Sequence, residues 1–225
     1  MDSANLVIII VAFFIAVLAI YILYSIILFQ GNSSKGDDLQ LSTKNVLDQV
    51  QVLYDKKEYA LVELLASKYL DRVPGHTDVR LYLAKAYYED HKYNQAIKHC
   101  EIILKKNSNN LETREILGKS YIQKGWLSKA IQEFEAIYES KKTDVKTVRT
   151  LAELYRDTEQ IFMSISAYGA LSELLENEDD VAKIQSIIAE LNEEVRDFPA
   201  AFEAYKRRLS IYPQDIETNK KLAEL

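Results

Sequence analysis

Cysteine occurs once in this chain of 225 residues, at Cys100, so no disulfide can form within it. A lone thiol fits a reducing compartment. Proline occurs three times and glycine six, and so few helix breakers suit a helix-rich domain. Basic charge is not in excess: 28 Lys and Arg stand against 34 Asp and Glu, a net charge of -6. That balance argues against nucleic acid, whose readers carry a basic face. No P-loop, G-x-G-x-x-G, G-x-S-x-G or H-E-x-x-H run is present, so nothing points to an enzyme or a cofactor. Acidic pairs such as Glu193-Glu194 and Asp179-Asp180 read as solubilising charge.

What is abundant is apolar residues, 48% of the chain, and they open it. Leu6 to Phe29, LVIIIVAFFIAVLAIYILYSIILF, holds no charged residue. As a helix it is about 36 Å long, enough to cross a hydrocarbon core of roughly 30 Å with some tilt. No Lys or Arg precedes it and no small-residue cleavage pattern follows, which favours a retained transmembrane helix over a secretion signal. Residues 6–29 are therefore expected to contact the lipid bilayer. Lys35 and Lys44 follow the span and no basic side chain precedes it, which places the remainder in the cytoplasm by the positive-inside rule. Residues 30–42, QGNSSKGDDLQLS, read as a flexible linker. Asn32-Ser33-Ser34 matches a glycosylation sequon by letters, but a cytoplasmic segment makes it meaningless.

From residue 43 onward the chain repeats itself. Leu83, Ala84, Tyr87, Ala96 and Cys100 stand 34 residues before Leu117, Gly118, Tyr121, Ala130 and Phe134. A further 34 residues on stand Leu151, Ala152, Tyr155, Ser164 and Tyr168. In each unit a first helix carries Leu, a small residue and Tyr on one stripe, and a second helix opposes it with a small residue and usually an aromatic. No such hairpin buries its stripe alone, so neighbours must stack.

The pattern resembles the tetratricopeptide repeat (TPR), W-x2-L-G-x2-Y, A-x3-F, P. The resemblance covers about four fifths of the chain. It implies an all-α fold: a right-handed TPR superhelix of about five helix-turn-helix repeats plus a closing helix, preceded by the transmembrane helix. The repeats fall at 43–76, 77–110, 111–144, 145–178 and 182–215, with a partial one at 216–225. Pro74 and Pro213 fill the repeat-end slot. Gln49 and Val62 replace the leucine and alanine of the first repeat; Asn192 replaces the tyrosine of the fifth. An insertion, Asp179 to Val181, precedes that fifth repeat, where looser packing is expected. Trp126 falls at a turn between helices.

The repeat also explains the histidine and cysteine residues of YYEDHKYNQAIKHCEIILKK. Cys100 takes the slot of Phe134, Tyr168 and Tyr205, so it is expected as a small hydrophobe in a helix contact. His91 falls in the inter-helix turn at the slot of Gly125. His99 is about 100° around the helix from Cys100. No C-x2-C or H-x3-H spacing exists, and no metal is expected.

In TPR proteins the first helices line a concave groove that binds partners. Carried over slot by slot, the groove residues are Leu47, Tyr54, Leu81, Lys85, Tyr88, Lys119, Ile122, Arg149 and Arg156. Its N-terminal half offers aromatics beside Lys85 and Lys119, suited to a protein or peptide partner with apolar anchors and an acid. The alternative is that these tyrosines simply cover neighbouring side chains. Co-chaperone TPRs clamp a terminal carboxylate with Lys and Asn, where this chain has Leu47 and Gln51, so that subtype is disfavoured. An anchor ahead of TPRs also resembles the layout of the bacterial membrane scaffold regulating lipopolysaccharide synthesis, which favours a bacterial inner membrane. That family adds a module with paired C-x2-C, which one cysteine cannot build. The layout is similar to mitochondrial import receptors too, which usually carry more repeats. The sequence therefore suggests a membrane-held scaffold or adapter, an assembly or regulatory factor in kind, with self-association of the solenoids as the rival expectation.

Overall fold

The 34-residue period returns as pairs of helices. The structure, a computed structural model, describes residues 43–225, and every regular element among them is an α-helix. The first pair is α1 (Thr43–Asp55) and α2 (Tyr59–Arg72). Then come α3 (Thr77–Glu89) with α4 (Tyr93–Lys106), and α5 (Leu111–Gln123) with α6 (Leu127–Ser140). The fourth pair is α7 (Val145–Asp157) and α8 (Ile161–Leu174), the fifth α9 (Glu178–Glu194) and α10 (Phe198–Ile211). A last helix, α11 (Ile216–Glu224), follows. The expected membrane span 6–29 and linker 30–42 lie outside the described residues. Among the described residues, no helix is long and apolar enough to cross a membrane.

Each boundary is written into the sequence. From α3 on, every first helix opens on a side chain that accepts a backbone N–H three residues ahead. His76 Nδ1 accepts from Val79 (3.2 Å), Asn110 from Thr113 (2.9 Å), and Asp144 from Thr147 (3.1 Å). Asn177 accepts from Asp180 (3.0 Å) and Asp215 from Thr218 (3.4 Å). Such a cap contributes about 1 kcal/mol. The other end of each first helix closes on a residue of positive φ: Lys57 (60°), His91 (58°), Gly125 (70°), Glu159 (59°) and Arg196 (61°). The next residue then donates back to the helix, as Lys92 to Tyr87 O (2.8 Å), Trp126 to Tyr121 O (2.9 Å) and Gln160 to Tyr155 O (2.8 Å). This left-handed closure frees the chain to reverse within about three residues.

The fifth repeat, expected from residue 182, opens earlier than that. Its first helix begins at Glu178 and runs 17 residues, against 13 for α3. Asp179 to Val181 thus form helix instead of a preceding insertion. The Asn177 cap and three acidic residues in the first turn, Glu178, Asp179 and Asp180, favour that start. Asn192 sits buried in the tyrosine slot and its amide donates to Ile188 O at 2.7 Å. Pro199 lies in the first turn of α10, where it disrupts nothing.

Packing passes from each helix to the next along α2 to α11, and α3 also meets α5 directly. Leu83, Ala84, Leu117, Leu151 and Ala152 are all buried, as the stripe predicts. One core cluster joins Ala84 and Cys100 with Leu117, Phe134 and Leu151; another holds Ala152 with Tyr168, and a third Ala189 with Tyr205. The stripe tyrosines bury their rings and donate to carboxylates of the preceding hairpin. Tyr87 reaches Glu63 (3.2 Å), Tyr121 Glu101 (3.4 Å) and Tyr155 Glu135 (2.7 Å). Leu222 of α11 packs on the third of these clusters, the contact expected of a closing helix.

Candidate functional site

The first helices share a face, and side chains on it reach from one repeat to the next. At its N-terminal end the rings of Tyr54 on α1 and Tyr82 on α3 meet edge to face, 5.7 Å apart. Tyr59 lies 5.8 Å from Tyr54. Lys85 Nζ stands 4.8 Å from the Tyr82 centroid and 5.9 Å from that of Tyr54. It also pairs with Glu112 of α5 at 2.5 Å. Burial and the nearby Glu89 carboxylate push the Tyr54 hydroxyl up to about 12, so it stays a neutral donor. The Lys85 charge is therefore already balanced, by two ring faces and a carboxylate.

One repeat on, the balance differs. Lys119 and Lys146 approach the same oxygen of Glu115, Oε1, at 2.7 and 2.6 Å. Burial alone would raise the Glu115 carboxyl, but hydrogen bonds from both lysines outweigh it and hold it below its ordinary value. Two ammonium groups thus share one carboxylate. Arg149, three residues after Lys146 on α7 and half-buried, has no ion pair among the described residues. Tyr88 borders this cluster. Its hydroxyl is raised by burial first, then by Glu89, Tyr93 and Glu115, and is lowered by Lys146.

The nine expected groove residues separate into three groups. Leu81 is only 8% exposed and belongs to the core, so it offers a partner nothing; its slot faces inward because α3 is covered by α5. Leu47, Tyr54, Tyr88 and Ile122 are half-buried, and Tyr88 and Ile122 pack against the core with one side. Lys85, Lys119, Arg149 and Arg156 stand toward solvent to differing degrees, Arg156 exposed and 4.0 Å from Asp157. Glu115 takes the fifth groove slot of its repeat, as Leu47 and Arg149 do in theirs; sequence reasoning missed Tyr82, Glu112 and Lys146 as parts of this face. Glu112 and Lys146 occupy the second slot of their repeats, and tabulating that slot would have found both. Tyr82 occupies no slot of the family pattern.

The histidine and cysteine residues do other work. His91 Nδ1 is 2.8 Å from the Tyr93 hydroxyl at the surface. His99 lies 3.2 Å from the Arg80 guanidinium, and burial, then that cation, lower it to about 4. The Cys100 thiol is buried and thereby pushed up to about 12, so it is not a nucleophile at neutral pH. Among the described residues, no group of three or more His, Cys, Asp or Glu side chains is placed to hold a metal ion.

The described chain is a solenoid of TPR-like helix pairs. The family model for anaphase-promoting complex, cyclosome, subunit 3 matches residues 55–137, from the end of α1 through most of α6. No curated protein matches the chain in sequence. Among solved structures, MamA AMB-1 is 18% identical, with a TM-score of 0.66 over 80% of this chain and 97% of its own. A crystal structure of MamA protein is 16% identical, with a TM-score of 0.66 over 80% and 96%. MamA MSR-1 is 16% identical, with a TM-score of 0.61 over 77% and 98%. At such identities the likeness shows the fold alone.

Proposed function

We propose that this chain is a membrane-held adapter that captures a protein segment along the first-helix face and acts by binding, not by catalysis. The observation that carries the reading is the composition of that face. Half-buried aromatics on α1 and α3 (Tyr54, Tyr88) adjoin lysines on α3, α5 and α7 (Lys85, Lys119, Lys146). Rigid rings beside cations are what interface hot spots are made of. Anchoring rests on the uncharged run Leu6–Phe29, a cytoplasmic solenoid on Lys35 and Lys44, and a bacterial inner membrane on the anchor-first layout alone. Tethering raises the effective concentration of both partners, so a modest affinity for the groove suffices.

The test is a photo-crosslinking amino acid placed at Tyr88 in intact cells, with Lys105 on α4 as control. A foreign protein trapped at Tyr88 and not at Lys105 supports the adapter. Crosslinks only to other copies of the chain would reject it in favour of self-association. One observation favours that second reading. The exposed side of α8 lacks charge from Ile161 to Ser172 and presents Phe162, 76% exposed, and Met163. Concentration-dependent mass in sedimentation, lost in Phe162→Glu, would identify it.

A further inference from the structure

Every cation on the N-terminal part of the first-helix face has a partner, but not in equal measure. Lys85 is matched by Glu112 and two rings. Lys119 and Lys146, by contrast, converge on one oxygen of Glu115. A carboxylate has two oxygens and about four lone-pair positions, and both lysines use the same oxygen. The pair sits on different repeats, α5 and α7, so Glu115 bridges a junction between hairpins. Arg149 lies one helical turn from Lys146 on the same helix and acts on Tyr168 of α8. Asp144 also acts on Lys146, but Glu115 alone bonds both lysines, in a chain whose net charge is -6. Lys146 is two-thirds exposed at its side chain, whereas Lys119 and Glu115 are about one-third exposed, so the cluster is reachable from solvent yet partly desolvated. Tyr88 and Ile122, half-buried against the core, supply an apolar border.

We infer that the Lys119 and Lys146 pair is the seat for an acidic side chain of the partner segment, and that Glu115 is a built-in stand-in occupying part of that seat. The inference rests on the adapter reading above and names the chemistry of its ligand: a carboxylate flanked by aliphatic residues that pack on Tyr88 and Ile122. Glu115 keeps two like charges together in the free protein and competes with the incoming acid. The stand-in makes a distinctive prediction, because neutralising it helps binding while neutralising its lysines hurts it. A merely structural ion pair gives the same sign for both changes.

The probes are fluorescein-labelled octapeptides of alternating leucine and glutamate, or leucine and glutamine, titrated by anisotropy against the full chain in a nonionic detergent. The glutamate peptide should bind about tenfold more tightly than the glutamine peptide. Lys119→Gln with Lys146→Gln should weaken the glutamate peptide about tenfold and leave the glutamine peptide unchanged. Glu115→Gln should strengthen the glutamate peptide by roughly threefold or more. The outer-helix pair Lys98→Gln with Lys105→Gln removes the same charge and should change nothing. Equal loss in that control, or no gain in Glu115→Gln, overturns the seat. Anionic phosphatidylglycerol vesicles responding to these variants in place of the peptides overturn it too, in favour of a lipid surface. A partner crosslinked at Tyr88 whose capture ignores all these variants would leave the adapter standing and remove the acidic seat alone.

Discussion

The second and third repeats solve the same packing problem with different chemistry. In both, an arginine at the fourth slot reaches back to the preceding loop: Arg80 to Pro74 O at 2.6 Å, Arg114 to Ser108 O at 2.9 Å. Each arginine then meets the same slot of its second helix. Arg114 finds the Glu133 carboxylate at 2.6 Å, whereas Arg80 finds His99 Nδ1 at 3.2 Å. Since guanidinium only donates, Nδ1 must accept, which fixes the neutral His99 tautomer with its proton on Nε2. The small-to-large contact differs as well. Gly118 lies under Phe134, so close that a Cβ there would come within 2.8 Å of Cε2. Ala84 instead shares its core with Cys100. These two repeats face a donor with an acceptor and a small residue with a cover in the same slots, using different residues, whereas the fourth repeat fills the donor and acceptor slots with apolar Val148 and Ala167.

The largest expected effect comes from the volume term. Phe134→Ala should cost about 3–5 kcal/mol of unfolding free energy, because the ring leaves a cavity between helices. Cys100→Ala, at the same slot one repeat earlier, should cost about 1 kcal/mol. Urea denaturation followed by circular dichroism separates them, and equal losses would mean that the slots are not equivalent. In the same contact, Gly118→Ala should destabilise by about 1–2 kcal/mol, since the buried ring has to move.

The acceptor term is read through pH. The folded His99 is lowered to about 4 from an ordinary 6.5, so between those values the unfolded chain binds the proton and the folded chain does not. Stability from this site is complete above pH 6.5 and is lost as pH falls toward 4. His99→Glu transplants the third repeat's pair, and should flatten the urea midpoint between pH 6.5 and about 5, above the range where ordinary carboxylates titrate. Identical slopes for both proteins would refute the comparison. An effect as small as that of Cys100→Ala belongs to the turns. Gly125→Ala should lose about 1 kcal/mol, because its φ of 70° disfavours a side chain, even though the space around it is open. His91, at φ 58° in the same slot, shows that the fold tolerates this strain, here with a ring contact to Tyr93.

Most of the fold was legible because its determinants are local and recur. The stripe Leu83, Ala84, Tyr87 and its copies sets the period, and Asn110 and Asp144 mark where first helices start. The left-handed turns were less legible, since only Gly125 advertises one; Lys57, Glu159 and Arg196 are held there by the helices on either side. The start of α9 was missed because Asp179 and Asp180 look like loop residues until Asn177 is recognised as their cap. The candidate site was read less well than the fold. Slot patterns say which residues point toward the face, but not how their charges are spent. Nothing in the sequence alone says that Lys85 is satisfied by Tyr82 and Glu112, while Lys119 must share Glu115 with Lys146. Those pairings depend on the offset between neighbouring hairpins, a tertiary quantity.

Among the described residues, the hairpins touch only their neighbours along the chain, which has a mechanical meaning. Pulled from its two ends, such a body yields like a coiled spring, opening one hairpin after another instead of failing everywhere at once. If one end is held by a bilayer and the other by cargo, tension arriving through the cargo is absorbed repeat by repeat, and each hairpin recloses when the load drops.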